Sequence, residues 1–286
     1  MKTALFVILA AVLFSGALLS GAEARDAAAD GGRIFVIGRI SGDPQKHYPR
    51  LRAMADYLGE RLKDLGISET AVRLVGNNRE MLRLLREGEV DFISETPFSA
   101  LLFAEKGGTE IILREWKKGV ASYHTVFIAR TDSGIESVSD LKGKIIAFED
   151  RGSTSSFLVP LSVLRTAGIE AVEMASFRDT PPAGKLGYVF AGSEVNITFW
   201  VHKGFVDAGA YSNQDWEKDE HTPELLKKDL KIVFHAAPMV RSVVSLRRAL
   251  SPAIKKRVKD VLLNMHMDPE GRKVLKRYFK VKKYDE

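Results

Sequence analysis

The segment Asp150-Arg151-Gly152-Ser153-Thr154-Ser155-Ser156 gathers residue types suited to one task, holding a small anion. It lies between an apolar run ending at Phe148 and a run through Leu158, Val159, Leu161 and Leu164 with helical spacing. Gly152 permits a tight turn, and the hydroxyls fall on the first turn of the helix. The first amides of a helix have no intrahelical acceptor, and the helix dipole adds partial positive charge there. Hydroxyls and free amides together form an anion nest. One Ser or Thr suffices to cap a helix. Four hydroxyl residues in a row exceed that need.

Other chemistries leave no trace. The chain has no cysteine, which removes thiol nucleophiles, metal thiolates and disulfides. It contains no G-x-S-x-G elbow, H-E-x-x-H pair, Walker loop or G-x-G-x-x-G turn. No histidine is placed by sequence to activate Ser153 or Ser155, so no enzyme is expected. A hydrolase is the distant alternative, and phosphate release by the pure protein would reveal it. His202, His221, His235 and His266 lack ligand-like spacing, so neither a metal nor another cofactor is expected.

Lys2, the apolar run Ala4 to Leu19 and the A-x-A site Ala22-Glu23-Ala24 form a secretory leader. Residues 1–24 are read as a signal peptide, cleaved near Ala24. Without a cysteine at the cleavage point no lipid anchor is expected, which fits the periplasm of a two-membrane bacterium. Hydrophobic content of 45% and charged content of 28% are those of an ordinary globule. The net charge of +6 gathers near the C-terminus, from Arg272 to Lys283. In an exported chain this is read as the wet face of a terminal helix rather than a nucleic-acid surface.

Two like units must position the nest. Ile34 to Ile37 reads as a strand, and a helix follows with Leu51, Met54, Ala55, Leu58, Leu62 and Leu65 on one face, closed by Gly66. Ala71 to Val75 is a strand, Asn77 with Glu80 starts a helix, and Val90 to Ile93 is a third strand. The same grammar returns over Ile145 to Phe148, Ser153 to Ala167 and Val206 to Ala210. Leu85-Arg86-Glu87-Gly88-Glu89-Val90-Asp91 and Val201-His202-Lys203-Gly204-Phe205-Val206-Asp207 share one pattern, a helix end, a glycine, one residue and Val-Asp. Tyr123 to Arg130 and Val240 to Leu246 read as two extended crossings between the units. The expected class is α/β, with the helices Pro252 to Met265 and Pro269 to Phe279 packed back on the first unit.

Several motifs taken in order resemble those of phosphonate-type solute-binding proteins of ABC importers. They are Tyr123-His124-Thr125-Val126, Asp132-Ser133-Gly134-Ile135, Asp140-Leu141-Lys142-Gly143-Lys144, Gly152-Ser153-Thr154-Ser155 with Pro160, and Gly192-Ser193-Glu194. Gly204 to Ala210 extends the match, which covers nearly the whole chain from Ile34. The resemblance implies a two-lobed type II periplasmic-binding-protein fold, each lobe a mixed sheet flanked by helices. Residues 25–126 with 238–286 would form one lobe and 127–237 the other.

It further implies that Ser153, Thr154 and Ser155 donate to a phosphonate-like oxyanion, with Tyr123 nearby. Glu194 would meet an amino group on the ligand, and His47 or Tyr48 would add a contact. Asn213 is chosen from the strand end Tyr211 to Asp215, where α/β sites collect. Glu95, followed by Thr96, departs from the family, which commonly has an aromatic residue there. A carboxylate facing an oxyanion is unfavourable, so either Glu95 turns away or the ligand also carries positive charge. An aminophosphonate satisfies the second case, and so does a mainly cationic or zwitterionic ligand. The implied partners are a small ligand and an inner-membrane ABC permease, with a monomeric protein and no nucleic acid. A sensor feeding a membrane histidine kinase is the other role open to such a fold.

Overall fold

The computed structural model describes residues 32–286, so the leader expected over residues 1–24 lies outside the described residues. The chain first lays down β1 (Arg33–Ile40), α1 (Pro44–Glu60), β2 (Ile67–Val75), α2 (Asn78–Arg86), β3 (Phe92–Glu95), α3 (Pro97–Lys106) and β4 (Thr109–Glu115). It leaves through the short β5 (Ser122–Tyr123) and enters a second sheet as β6 (Thr125–Arg130). There follow β7 (Ile145–Phe148), a π-helical turn over Thr154–Leu158 continued by α4 (Val159–Thr166), β8 (Ala171–Glu173) and β9 (Leu186–Phe190). Next come α5 (Glu194–His202), β10 (Ala208–Ser212), α6 (Asn213–Trp216), α7 (Glu224–Lys227) and β11 (Leu230–His235). The chain returns through β12 (Met239–Val240) and ends with β13 (Val243–Arg247), α8 (Pro252–Asn264), α9 (Pro269–Arg277) and β14 (Tyr284–Asp285).

The strand order is β14-β4-β13-β3-β1-β2 in the first sheet and β11-β6-β10-β7-β9-β8 in the second. Three parallel strands in the first sheet and four in the second meet one antiparallel strand delivered by a crossing, β13 against β3 and β6 against β10. Between the sheets, β5 and β12 pair antiparallel, Tyr123 opposite Met239 and Ser122 opposite Val240. That two-strand ladder links the two sheets. The whole of β6 belongs to the second sheet, so the chain changes sheet at His124.

Alternation along the strands explains the layering. In β1, Phe35 and Ile37 face a core shared with Leu51 and Met54 of α1, Ile254 and Val258 of α8, and Leu275 of α9. Val36, on the opposite face, packs with Met81 and Leu85 of α2 and Phe103 of α3. In β6, Phe127 and Ala129 pack toward Leu164 of α4, whereas Val126 and Ile128 pack toward Ile197 and Val201 of α5. Each such side chain contributes roughly 2 kcal/mol by burial.

The paired Val-Asp stretches perform one task twice. The Asp91 amide donates to the Val36 carbonyl at 2.9 Å, and the Val36 amide donates back to Asp91 Oδ2 at 3.0 Å. The Asp207 amide donates to Ile145 O at 2.9 Å, and the Ile145 amide donates to Asp207 Oδ2 at 2.8 Å. Each aspartate ties the parallel strand that follows it, β3 or β10, to its neighbour β1 or β7. Gly88 and Gly204 precede them at φ of 70° and 69°, a conformation that favours glycine.

Candidate functional site

A cavity of about 1200 Å³ is lined from both sheets, by Glu95, Thr96 and Lys117 on one side and by Glu149, Ser153 and Glu194 on the other. Four helical segments begin on its wall, α2, α3, the run from Thr154, and α5. Their free amides and positive dipole ends converge on one space. This follows from topology, because the carboxyl ends of parallel strands are where such helices start.

The segment after β7 folds tightly. The Gly152 amide donates to Asp150 Oδ1 at 2.6 Å and the Ser153 amide to the Asp150 carbonyl at 3.2 Å. A Cβ on Gly152 would stand 3.1 Å from Asn78 Nδ2, so glycine lets this loop approach the start of α2 in the other sheet. Ser153 Oγ accepts from the Ser156 amide at 3.1 Å and thus caps the helical run. The amides of Thr154 and Ser155 open that run and have no intrahelical acceptor. A π-helical first turn widens the opening.

Thr154 departs from the role expected of it. Its hydroxyl donates to Thr96 Oγ1 at 2.9 Å and accepts from the Phe98 amide at 3.3 Å. Thr96 makes no side-chain cap of its own on α3, so Thr154 caps that helix from the opposite sheet. Ser156 is structural. Its hydroxyl donates to the Ala210 carbonyl and accepts from the Glu149 amide at 2.9 Å. Thr125 Oγ1 fixes the Ser155 carbonyl at 2.7 Å. Burial raises the Tyr123 phenol above its usual range, while a hydrogen bond with Ser155 pulls the other way.

Carboxylates stand beside this nest. Burial, then Glu194 and Asp150, push the Glu149 carboxyl up to about 8, against a hydrogen bond with Ser153. Glu194, at the start of α5, is raised by burial and by Asp215. Burial would also raise Asp215. Hydrogen bonds from His221 and Ser212, with Lys218 beside them, hold it far below the usual carboxylate range instead. His221 Nδ1 lies 2.8 Å from Asp215 Oδ1 and Lys218 Nζ 3.1 Å from the same oxygen. That bond raises the His221 pKa. Ligand atoms of Glu194, Asp215 and His221 fall within 4.8 Å of one another. The trio has the makings of a cation site, although Lys218 already occupies that role toward Asp215.

Seven of the ten residues singled out from sequence line the cavity: Ser153, Thr154, Ser155, Tyr123, Glu194, Glu95 and Thr96. Glu95 turns toward its own sheet, where its Oε1 accepts from the Ile40 amide at 3.1 Å. Three residues stand elsewhere. His47 hydrogen-bonds Ser41 Oγ at 2.7 Å and meets the Phe279 ring edge-on. Tyr48 points outward at 49% exposure. Asn213 Oδ1 accepts from the His124 amide at 3.0 Å, holding the point where the chain changes sheet. Sequence reasoning passed over Glu149, Asp215, His221, Lys117, Lys118 and Arg241, all on the wall. Only Asp215 carried a local signal, two residues past Asn213 at the strand end.

Two α/β units of like strand order, joined by a two-strand ladder, with helix starts turned toward a shared cavity, make the type II periplasmic-binding-protein fold. Residues 40–286 match the profile of the phosphonate ABC transporter periplasmic substrate-binding proteins. The chain belongs to that family, whose members are binding proteins and not enzymes. It is 28% identical over 177 residues to the phosphate-import protein PhnD of Mycolicibacterium smegmatis, a match covering 60% of this chain and 54% of that one. The chain therefore spans about half the length of that relative. Among solved structures, XAC2383 from Xanthomonas citri bound to chloride is 37% identical, with a TM-score of 0.85 over 88% of this chain and 91% of that one. The same protein bound to ATP gives 36% identity and a TM-score of 0.84, over 88% and 90%. PhnD1 from Prochlorococcus marinus, in complex with methylphosphonate, shares the fold at 20% identity and a TM-score of 0.65, over 88% and 92%.

Proposed function

We propose that this chain captures a phosphonate or phosphate ester between its two lobes and presents it to an inner-membrane ABC permease. The observation that carries this reading is the start of the helical run at Thr154, where free amides and the Ser153 and Ser155 hydroxyls meet the cavity. An anion there gains charge-assisted hydrogen bonds and the field of four helix starts. We take the lobe boundary to lie at the β5–β12 ladder, the second lobe starting with β6 at Thr125 rather than at residue 127 and ending near residue 237. Export follows from the leader read over residues 1–24, and no helix among the described residues is long and apolar enough to cross a membrane.

The carboxylates narrow the ligand. A protonated Glu149 does not repel an oxyanion at neutral pH, while Glu194, whose carboxyl has no cation bonded to it among the described residues, favours an ammonium group at the other end. A zwitterionic aminophosphonate satisfies both. About 1200 Å³ is far more than a methylphosphonate fills, so a substituted phosphonate or an ester suits the cavity better. Chloride and ATP, the ligands of the Xanthomonas citri protein, are both anionic. Closure would follow because a ligand touching both lobes has more affinity for the closed form.

Calorimetry with 2-aminoethylphosphonate and methylphosphonate tests the reading. Replacing both serines, Ser153→Ala and Ser155→Ala, should weaken each ligand by about 1.5–3 kcal/mol per lost charged hydrogen bond. Unchanged affinity in a variant that still melts cooperatively would put the oxyanion elsewhere.

A further inference from the structure

Lys117 lines the cavity with its side chain only 7% exposed. Among the described residues its ammonium makes no ion pair and no hydrogen bond, and a ring contact with Phe279 at 5.5 Å stands in for a counter-ion. Of the nearby carboxylates, Glu115 and Glu95, neither comes within ion-pair distance of that ammonium, although Glu115 Oε1 is buried without a hydrogen-bond partner. Glu95 accepts from the Ile40 amide at 3.1 Å, and Glu115 accepts from the Tyr284 hydroxyl at 3.3 Å. A buried charge without an ion-pair partner destabilises a fold, and the pull of Glu115 and Glu95 does not offset burial beside Arg39 and Arg241.

The surroundings add positive charge. Burial, then Arg39 and Arg241, hold the Lys117 pKa well below its ordinary value, against the weaker pull of Glu115 and Glu95. Arg241 lines the same cavity, its guanidinium 4.5 Å from the Tyr123 ring and its Nε donating to Gln214 Oε1 at 2.9 Å. It too has no carboxylate partner among the described residues. Lys118, also on the wall, is held at φ 54°, and its amide reaches the carbonyl of Phe279, itself at φ 52°. Two bulky residues in the left-handed region at one contact form a strained backbone, of the kind that persists where a site requires it. All three cations flank the paired strands, Lys117 and Lys118 before β5 and Arg241 after β12.

We propose that Lys117, Lys118 and Arg241 form a second anion subsite at the β5–β12 end of the cavity, so that the ligand carries a second acidic group in addition to the phosphonate and any ammonium received at Glu194. The phosphonate is received at Ser153–Ser155, and for that group the inference rests on the function proposed above. The second acidic group, a carboxylate or a phosphoryl group, pairs with Lys117. Its arrival supplies the counter-ion that the protein withholds, which makes closure dependent on the second group.

The test compares methylphosphonate, phosphonoacetate and methylenediphosphonate by calorimetry on the mature chain. They carry one phosphonate, a phosphonate with a carboxylate, and two phosphonates. At least one two-acid probe should bind about tenfold or more tighter than methylphosphonate, the gain of one charge-assisted hydrogen bond. Lys117→Met should abolish that gain, bringing the ratio of two-acid to methylphosphonate affinity to within about twofold of one. Because methionine removes an unpaired buried charge, this variant should melt at the wild-type temperature or above. A variant that melts well below wild type would make Lys117 a structural residue and overturn the proposal. Arg241→Gln provides a second variant, with a partial loss of the same gain. If methylphosphonate binds but neither two-acid probe gains, or the gain survives Lys117→Met, the subsite is wrong and the oxyanion nest stands. If no probe binds, the nest itself fails and the subsite falls with it.

Discussion

Glu149→Gln is the perturbation whose consequences are most closely set by the site. The wild-type carboxyl, ordinarily at 4.5, is raised to about 8 in the folded protein by burial and by neighbouring Glu194 and Asp150. A carboxyl held neutral in the folded state and ionised in the unfolded state costs stability as pH rises from its unfolded pKa toward its folded one. At about 1.4 kcal/mol per pKa unit, the loss between pH 5 and pH 8.5 is roughly 4 kcal/mol as an upper bound. Water reaching the partly exposed side chain reduces that to about 2 kcal/mol. Glutamine removes the titration. Differential scanning calorimetry should therefore find Glu149→Gln close to wild type at pH 5 and about 4–8 °C more stable at pH 8.5. In oxyanion titrations the variant should match wild type at pH 7 and bind more tightly above pH 8, where the wild-type carboxylate ionises beside Ser153. The ratio of the two proteins cancels the ligand's own ionisation. An equal melting difference at pH 5 and pH 8.5 would mean that Glu149 is ionised throughout, and the electrostatic argument would fail.

Thr154→Val removes the hydroxyl that caps α3 from the opposite lobe, so it should weaken closure by about 1 kcal/mol. The check is a roughly fivefold loss of affinity with little change in melting temperature. Asp91→Asn breaks ion pairs with Arg33 and Arg247 at a carboxylate that is 2% exposed, for a loss of about 3–5 kcal/mol in denaturant unfolding. Asp207→Asn keeps the same backbone bond but loses only a 3.9 Å contact with Lys144, so its cost should stay near 1 kcal/mol.

What could be read from the sequence was local. The turn at Gly152 and the hydroxyls after it announce a helix start because capping is a short-range matter, and Asn77 with Glu80 behaves the same way, the Glu80 amide donating to Asn77 Oδ1 at 3.0 Å. The repeated Val-Asp stretches signalled two like units for a similar reason, since each closes a helix and enters a strand within seven residues. Thr154 shows where this ends. Its partners Thr96 and Phe98 lie 58 and 56 residues away, and no pattern near residue 154 names them. His221 looked inert by spacing, yet the fold carries it to Asp215. Lys117 gave no signal at all, because a lysine in a polar turn reads as solvated until the tertiary structure buries it. Glu95 was legible as a departure, but its hydrogen bond to Ile40 depends on β1 and β3 lying side by side.

The central claim concerns where the negative oxygens sit, and a crystal structure of the mature protein grown with 2-aminoethylphosphonate addresses it directly. The account predicts phosphonate oxygens about 3 Å from the Thr154 and Ser155 amides and the Ser153 and Ser155 hydroxyls, with the amino group toward Glu194. A phosphonate seated away from the start of that helical run, with those amides bonded to water or protein, would contradict it.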